Sequence, residues 1–181
     1  MDQIAPECDT IAWRRSGSSQ SNESMPSAMR FTRRSGAIGV LPSSLELLRA
    51  VRGNSVDTHG SPCARILVRC AFDLAEVCAA ESRATTAPTA VRTRRRAELL
   101  ACIDDLLIMG LPHSPAVLRR RICRAVEQIA EASVELHRAL RRFGGADERV
   151  LVHSRRTAEL VAHYTMLLDS VALLHPWSPS S

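Results

Sequence analysis

Apolar residues recur at helical spacing along most of this chain, and stretches rich in proline and glycine separate the segments that carry them. The pattern predicts a short helix between Ser43 and Gly53 and four long helices, which span about 63–83, 89–109, 115–143 and 147–175. No alternating strand pattern competes with them. Long helices joined by short loops predict an all-α fold, an antiparallel four-helix bundle with a short additional N-terminal helix.

Local signals mark where these helices begin. Ser43 or Ser44 is expected to cap the short helix, and Glu46 lies in its first turn. Ser114 is expected as the N-cap of the third long helix, with Pro115 at the first helical position.

The N-terminal segment differs from the rest of the chain. Residues 1–42 contain the Ser- and Asn-rich stretch RRSGSSQSNESMPS, which cannot bury a helix face and predicts a disordered low-complexity tail. Met25 and Met29 lie in this tail, and each is a candidate for the true start of translation. An intact mass that matches all 181 residues would exclude that hypothesis. We expect a helical-bundle domain over 43–176 and a disordered C-terminus over 177–181.

The first long helix carries two apolar stripes, whereas a bundle helix buries one. The second stripe consists of Val68, Phe72, Ala75 and Ala79. It must be covered by the short helix, by a second copy of the chain or by a partner protein. This stripe is the candidate interface, and it predicts protein–protein contact.

Composition narrows the class of protein without assigning an activity. Apolar residues make up 45% of the 181 positions and aromatic residues 3%, so an aliphatic core is expected. All the basic residues are arginine, which a GC-rich genome explains as well as a need for arginine chemistry does. The net charge of +5 permits attraction to polyanions, but acidic residues are scattered among the arginines.

The stretch RRRAELLACIDDLLI holds the most conspicuous charges. Arg94 and Glu98 form an i,i+4 pair on the outer face of the predicted helix. Arg96 lies in line with the buried Ile103, and Arg92 shares its direction. These two side chains either extend past the end of the bundle or bind an anion there.

Other candidate sites have ordinary explanations. Glu127, Glu131 and Glu135 fall opposite the apolar stripe of their helix, so we expect a solvated acidic row and no metal centre. The helices contain no inward Glu-x-x-His motif, no phosphate-binding loop and no nucleophile–base pair. We therefore expect no catalytic residue, no cofactor and no metal.

Helical angles relative to the apolar stripe also predict where the polar residues of the last helix lie. Glu159 and His163 are expected at the surface, and Tyr164 and His153 nearer the buried side.

The cysteines and the longest apolar segments bear on location. Cys63, Cys70 and Cys78 are spaced about 10–12 Å apart along one helix, too far to share a zinc ion or a disulfide. We expect small buried thiols, which suggest the cytoplasm. No apolar run approaches the ~20 residues that a membrane span needs.

Several segments, in order, resemble an uncharacterised all-helical family of GC-rich bacteria that is known only as a domain of unknown function. The segments are LLRAVRG, DTHGSP, RCAFDLAEVCAAE, RRAELLACIDDLL, RRICRAVEQIAEASVELHRAL and RRTAELVAHYTMLLDSV. The resemblance covers about 45–174, and it implies an all-helical fold and a bacterial origin but no activity.

Three hypotheses for function follow. The first is a non-enzymatic cytoplasmic domain that forms a homodimer or docks a protein partner through the second stripe. The second is a weak nucleic-acid binder that uses Arg92, Arg95, Arg96 and the 119–121 run. The third is a small anion-binding or enzymatic pocket at the bundle end near Arg96.

Overall fold

The computed structural model describes residues 41–54, 61–83 and 89–174. Within these ranges the chain forms five helices and no strand, which confirms the predicted all-α class. The helices are α1 (Ser44–Val51), α2 (Pro62–Arg83), α3 (Thr89–Gly110), α4 (Ala116–Phe143) and α5 (Glu148–Leu174). The predicted tails lie outside the described residues, except that Leu41 and Pro42 are described.

The start of α1 follows the predicted capping chemistry. The Ser43 hydroxyl accepts a hydrogen bond from the Glu46 backbone N–H at 3.3 Å. In return, the Glu46 carboxylate accepts from the Ser43 backbone N–H at 2.7 Å. This capping box satisfies two backbone donors that the first turn would otherwise leave free.

The start of α4 differs from the prediction. Pro115, with ψ of 139°, is the N-cap, and no side chain caps the helix. The prediction that Ser114 caps α4 was wrong, because Pro115 itself has extended backbone and its carbonyl accepts the first helical hydrogen bond, from the Arg119 N–H at 3.2 Å. Ser114 lies one residue before this cap and is buried. The carbonyl of Ser114 accepts a hydrogen bond from the Arg119 guanidinium.

Glycine ends two of the helices at the predicted places. Gly53 and Gly144 have φ values of 74° and 79°, in the left-handed region that costs other residues energy. The Gly144 N–H still donates to the Leu140 carbonyl at 3.1 Å, so α4 closes its last turn before the chain reverses into α5.

The helix α4 lies at the centre of the described domain and contacts each of the other four helices. The helix α2 packs against α1, α3 and α4. Among the described residues, α5 approaches only α4 and α1. The shared core is aliphatic, as expected from composition, and its fully buried members include Leu47, Leu67, Leu74, Ile103, Leu107, Ile122, Val126, Ile129 and Tyr164.

The packed domain begins earlier in the chain than the predicted boundary at residue 43. Leu41 and Pro42 are buried, and the Pro42 carbonyl accepts a hydrogen bond of 3.0 Å from the Tyr164 hydroxyl. Tyr164 on α5 is itself fully buried, as its place near the apolar side predicted. The contact fixes the segment before α1 to α5, which is the physical reason for the earlier boundary.

None of the helices in the described ranges combines the length and the apolar character that crossing a bilayer requires.

Candidate functional site

Arg96 on α3 is the centre of an ionic cluster that joins three helices. Its guanidinium donates to Glu127 at 2.8 and 3.1 Å, to Glu81 at 3.5 Å, and to Glu131. Burial lowers the pKa of Arg96, but the hydrogen bonds to Glu127 and Glu131 outweigh it and raise the pKa further above its usual range. Arg96 therefore stays charged and is already occupied by carboxylates, which does not support the predicted anion site.

Arg92 lies one turn before Arg96 and has different surroundings. Its Nε and Nη1 atoms are buried, and neither has a hydrogen-bond partner among the described residues. Three carboxylates surround the single guanidinium of Arg96. Arg92 makes no ion pair with these glutamates among the described residues, so it does not belong to the ionic cluster of Arg96.

The glutamate row of α4 is not the solvated row that the sequence predicted. The side chains of Glu127 and Glu131 are 22% and 33% exposed and face Arg96. Glu135 pairs with Arg156 of α5 at 3.1 Å and lies 3.7 Å from His153. The prediction was wrong because the face opposite the core stripe of α4 is the place where α3 and α5 flank this central helix.

A surface groove of about 580 Å³ lies beside the Arg96 cluster, between α3 and α4. Its charges are balanced, with three arginines and three carboxylates among the lining residues Arg96, Leu100, Asp104, Arg120, Cys123, Arg124, Glu127, Gln128 and Glu131. Burial raises the pKa of the Cys123 thiol to about 11, and the thiol faces the Leu100 carbonyl at 3.8 Å. The thiol is therefore protonated at neutral pH and is a poor nucleophile.

Metal binding finds no support in the part of the chain that the structure describes. No group of three His, Cys, Asp or Glu side chains there could hold an ion. The described cysteines are free thiols.

Cys70 and Cys102 form a contact between α2 and α3 that sequence reasoning missed. Their sulfur atoms are 3.6 Å apart, and Cys70 is buried. Burial, together with the neighbouring Cys102 thiol, raises the pKa of Cys70 to about 12. Spacing along one helix tests only cysteine pairs within that helix. The pair of Cys70 and Cys102 depends on the register between two helices.

The raised pKa values of the buried thiols predict alkaline instability. Burial raises the pKa of Cys78 and Cys123 to about 11, and that of Cys70 to about 12, from an ordinary value of 9.0. A raised folded-state pKa gives stability that is complete below the unfolded value and is lost as pH rises through the folded value. We expect the free energy of unfolding, from urea titrations, to fall steadily between pH 9 and pH 11.

The matched variant for this experiment is Cys78→Ala. It removes one titrating thiol, and alanine is similar in size to the cysteine that it replaces. The slope of its unfolding free energy against pH should be smaller than that of the wild type, by the amount that corresponds to about one proton released per molecule on unfolding. A wild-type stability that stays constant up to pH 11 would contradict the prediction.

The second stripe of α2, predicted as an interface, offers little free surface. Val68 and Ala75 are 9% and 4% exposed, and Phe72 and Ala79 are half-buried. The Arg69 guanidinium lies over the Phe72 ring, 5.4 Å from its centre. The helices α1, α3 and α4 all pack against α2, so neighbouring helices of the same chain leave little of α2 for a partner.

Two of the six arginines considered for nucleic-acid binding are paired with carboxylates. Arg95 contacts carboxylates on α2 and α3, and Arg96 contacts three glutamates. Arg119 donates to the Ser114 carbonyl, although the next two residues of that run are exposed. The two arginines that pair with carboxylates are neutralised and would release few phosphate counterions, so they add little to nucleic-acid binding.

The outer face of α5 is the least covered apolar surface among the described helices, and sequence reasoning missed it. Leu151, Met166 and Leu173 are 60%, 66% and 83% exposed. Val152 and Leu174, at 61% and 52%, are also exposed, but each lies about 100° around the helix from its neighbour in this set. The signal that could have found this face is a second apolar spacing on the last helix, beside the stripe that contains Val150 and Leu168.

No family model, curated protein or solved structure matches this chain.

Proposed function

We propose that this protein is a non-enzymatic helical interaction domain that associates with itself through the outer face of α5. The observation that carries the proposal is the exposure of Leu151, Met166 and Leu173 along a helix whose outer side meets no other described helix. Large apolar side chains that recur in water along one face of a helix are typical of an interaction surface.

The chemistry of the remaining surface supports the same reading. The groove beside Arg96 has balanced charge, and its one thiol, Cys123, is protonated at neutral pH. The Cys123 thiol faces the Leu100 carbonyl, which cannot act as the base that activates a nucleophile.

We infer that the long helices run antiparallel as in a bundle. Arg96 reaches Glu127, whereas Leu100, one turn later on α3, meets Cys123, one turn earlier on α4. The same inverse order of contacts relates α2 to α3. The free thiols support a proposed cytoplasmic location, and membership of the helical family of GC-rich bacteria also stays a proposal, supported by the ordered segments alone.

A pair of matched substitutions tests the proposal. Met166 on α5 and Met109 on α3 are each 66% exposed, so a glutamate at either position costs the folded monomer about the same. We expect Met166→Glu to abolish self-association of the full chain, because it places a charge in the apolar surface. Met109→Glu should associate as the wild type does. Sedimentation velocity over a range of concentrations measures both.

Three results would overturn the proposal. The wild-type chain could remain a monomer at every concentration, Met166→Glu could associate unchanged, or Met109→Glu could weaken association equally. Circular dichroism melts of both variants establish that each substitution leaves the domain folded.

A further inference from the structure

On the outer face of α5, two leucines lie at equal distances on either side of Ala162, and two opposite charges lie at equal distances between them. Leu151 and Leu173 lie eleven residues before and after it, and Arg155 and Asp169 lie seven residues before and after it. At about 100° per residue, these positions fall on one side of the helix, within an arc of about 80° that also includes the positions four residues from Ala162.

We propose that this face pairs with a second copy of the same face, antiparallel, about a two-fold axis that passes beside Ala162. The inference rests on the proposed function and specifies its partner and register. In this arrangement Ala162 meets its own copy, and Leu151 meets the partner's Leu173. A two-fold interface requires such self-complementarity, because each residue and its opposite occur twice.

The charges of the face select the antiparallel direction. Arg155 and Asp169 are exposed, and neither has an ion-pair partner within the described residues. An antiparallel copy places Arg155 opposite the partner's Asp169 at two symmetric sites. A parallel copy would place each charge against its own like, which is repulsive.

The sizes of the side chains fit close approach at the centre. Ala158 and Ala162 are small and exposed, and Ala158 would face the partner's Met166. Small residues at a crossing allow helix axes to approach to about 8 Å. The repeat of eleven residues from Leu151 to Leu173 through Ala162 stays aligned along a nearly straight helix.

The length of the face sets the expected size of the interface. From Leu151 to Leu173 it extends for about 33 Å, so two copies bury an area at the low end of specific interfaces. Interfaces of this size are typical of transient complexes, so the dimer should dissociate on dilution.

Charge exchange tests the pairing directly in the full chain. Arg155→Glu or Asp169→Arg should each weaken the dimer by about tenfold or more, since each creates two like-charge contacts. The combined variant restores opposite charges and should return to within about threefold of the wild type. Arg65→Glu, at an exposed arginine on α2, is the matched control and should change nothing. Sedimentation velocity measures every variant.

Cysteine crosslinking tests the register. Ala162→Cys places two thiols beside the two-fold axis, where mild oxidation should link them. Ala158→Cys is the control, because its two copies would lie about 12 Å apart along the helix axes, beyond disulfide reach. Peptide mass mapping separates these bonds from any that native cysteines form.

The outcomes distinguish this inference from the proposed function. A dimer that depends on Met166 but shows no rescue in the combined charge variant would overturn the antiparallel pairing and leave the proposed function standing. Equal crosslinking at 158 and 162 would do the same for the register. A chain that stays monomeric overturns both.

Discussion

Replacing Tyr164 with alanine should lower the free energy of unfolding by about 3–5 kcal/mol, the cost of truncating a large buried aromatic side chain. Tyr164 is 0% exposed and belongs to the core cluster shared by α1, α4 and α5. The substitution leaves a cavity and also removes the hydrogen bond to the Pro42 carbonyl. Urea unfolding followed by circular dichroism would measure the loss as a lower transition midpoint.

Tyr164→Phe separates the two parts of that effect. It keeps the ring in the core and removes only the hydroxyl that donates to Pro42 at 3.0 Å. We expect a loss of about 1–2 kcal/mol, because the carbonyl of Pro42 is left without its buried donor. If Tyr164→Phe were as damaging as Tyr164→Ala, packing of the ring would not be the main contribution.

The alkaline behaviour of Tyr164 agrees with that of the thiols. Burial, and to a lesser extent Glu46, raises the pKa of its hydroxyl above the ordinary value. The folded chain therefore holds this proton at a pH where the unfolded chain releases it, and the associated stability is lost as pH rises. Tyr164→Phe should consequently reduce the fall in stability above pH 10.

The helices could be predicted from the sequence because their signals are local. The exchange of hydrogen bonds between Ser43 and Glu46 needs three residues of context, and Gly144 ends α4 through its own backbone freedom. Ser114 shows the limit of such signals, because the helix begins one residue later than the serine and proline pattern predicted, with Pro115 as its N-cap. Local chemistry fixes helix ends only where no neighbour competes.

The candidate site could not be predicted in the same way, because it depends on how helices face each other. Helical angles place Glu127 and Glu131 opposite one apolar stripe of α4, and this predicts exposure only if the other sides of the helix face water. The helix α4 is instead flanked on several sides. One signal was available. Arg96 was in line with the buried Ile103, and a charge in that position needs an acidic partner on a neighbouring helix. The two glutamates on α4, one helical turn apart, were candidates for that acidic partner.

The way helices face each other also explains why the proposed interface lies on α5 and not on the second stripe of α2. Val68 and Ala75 formed a convincing second stripe on α2, but a helix with several neighbours buries several faces. On α5, which has two neighbours, an apolar outer residue such as Leu173 stays in water. The number of neighbours of a helix, which one sequence does not specify, decides whether an extra stripe becomes core or interface.

Replacing Arg96 with methionine should cost about 2–4 kcal/mol of unfolding free energy, the second largest effect expected here. The Arg96 side chain is 27% exposed, and the loss of its guanidinium leaves the carboxylates of Glu81, Glu127 and Glu131 close together with no cation between them. Arg94→Met is the matched control. Its pair with Glu98 has exposed side chains, 82% and 49%, and such pairs contribute little to stability.

Removing the uncompensated charges should restore much of the loss. Adding Glu127→Gln and Glu131→Gln to Arg96→Met replaces two facing carboxylates with neutral amides of similar shape, so the repulsion largely disappears. If this combined variant were no more stable than Arg96→Met, Arg96 would act through the packing of its aliphatic stem against α2 and α4, and the ionic cluster would contribute little to the fold.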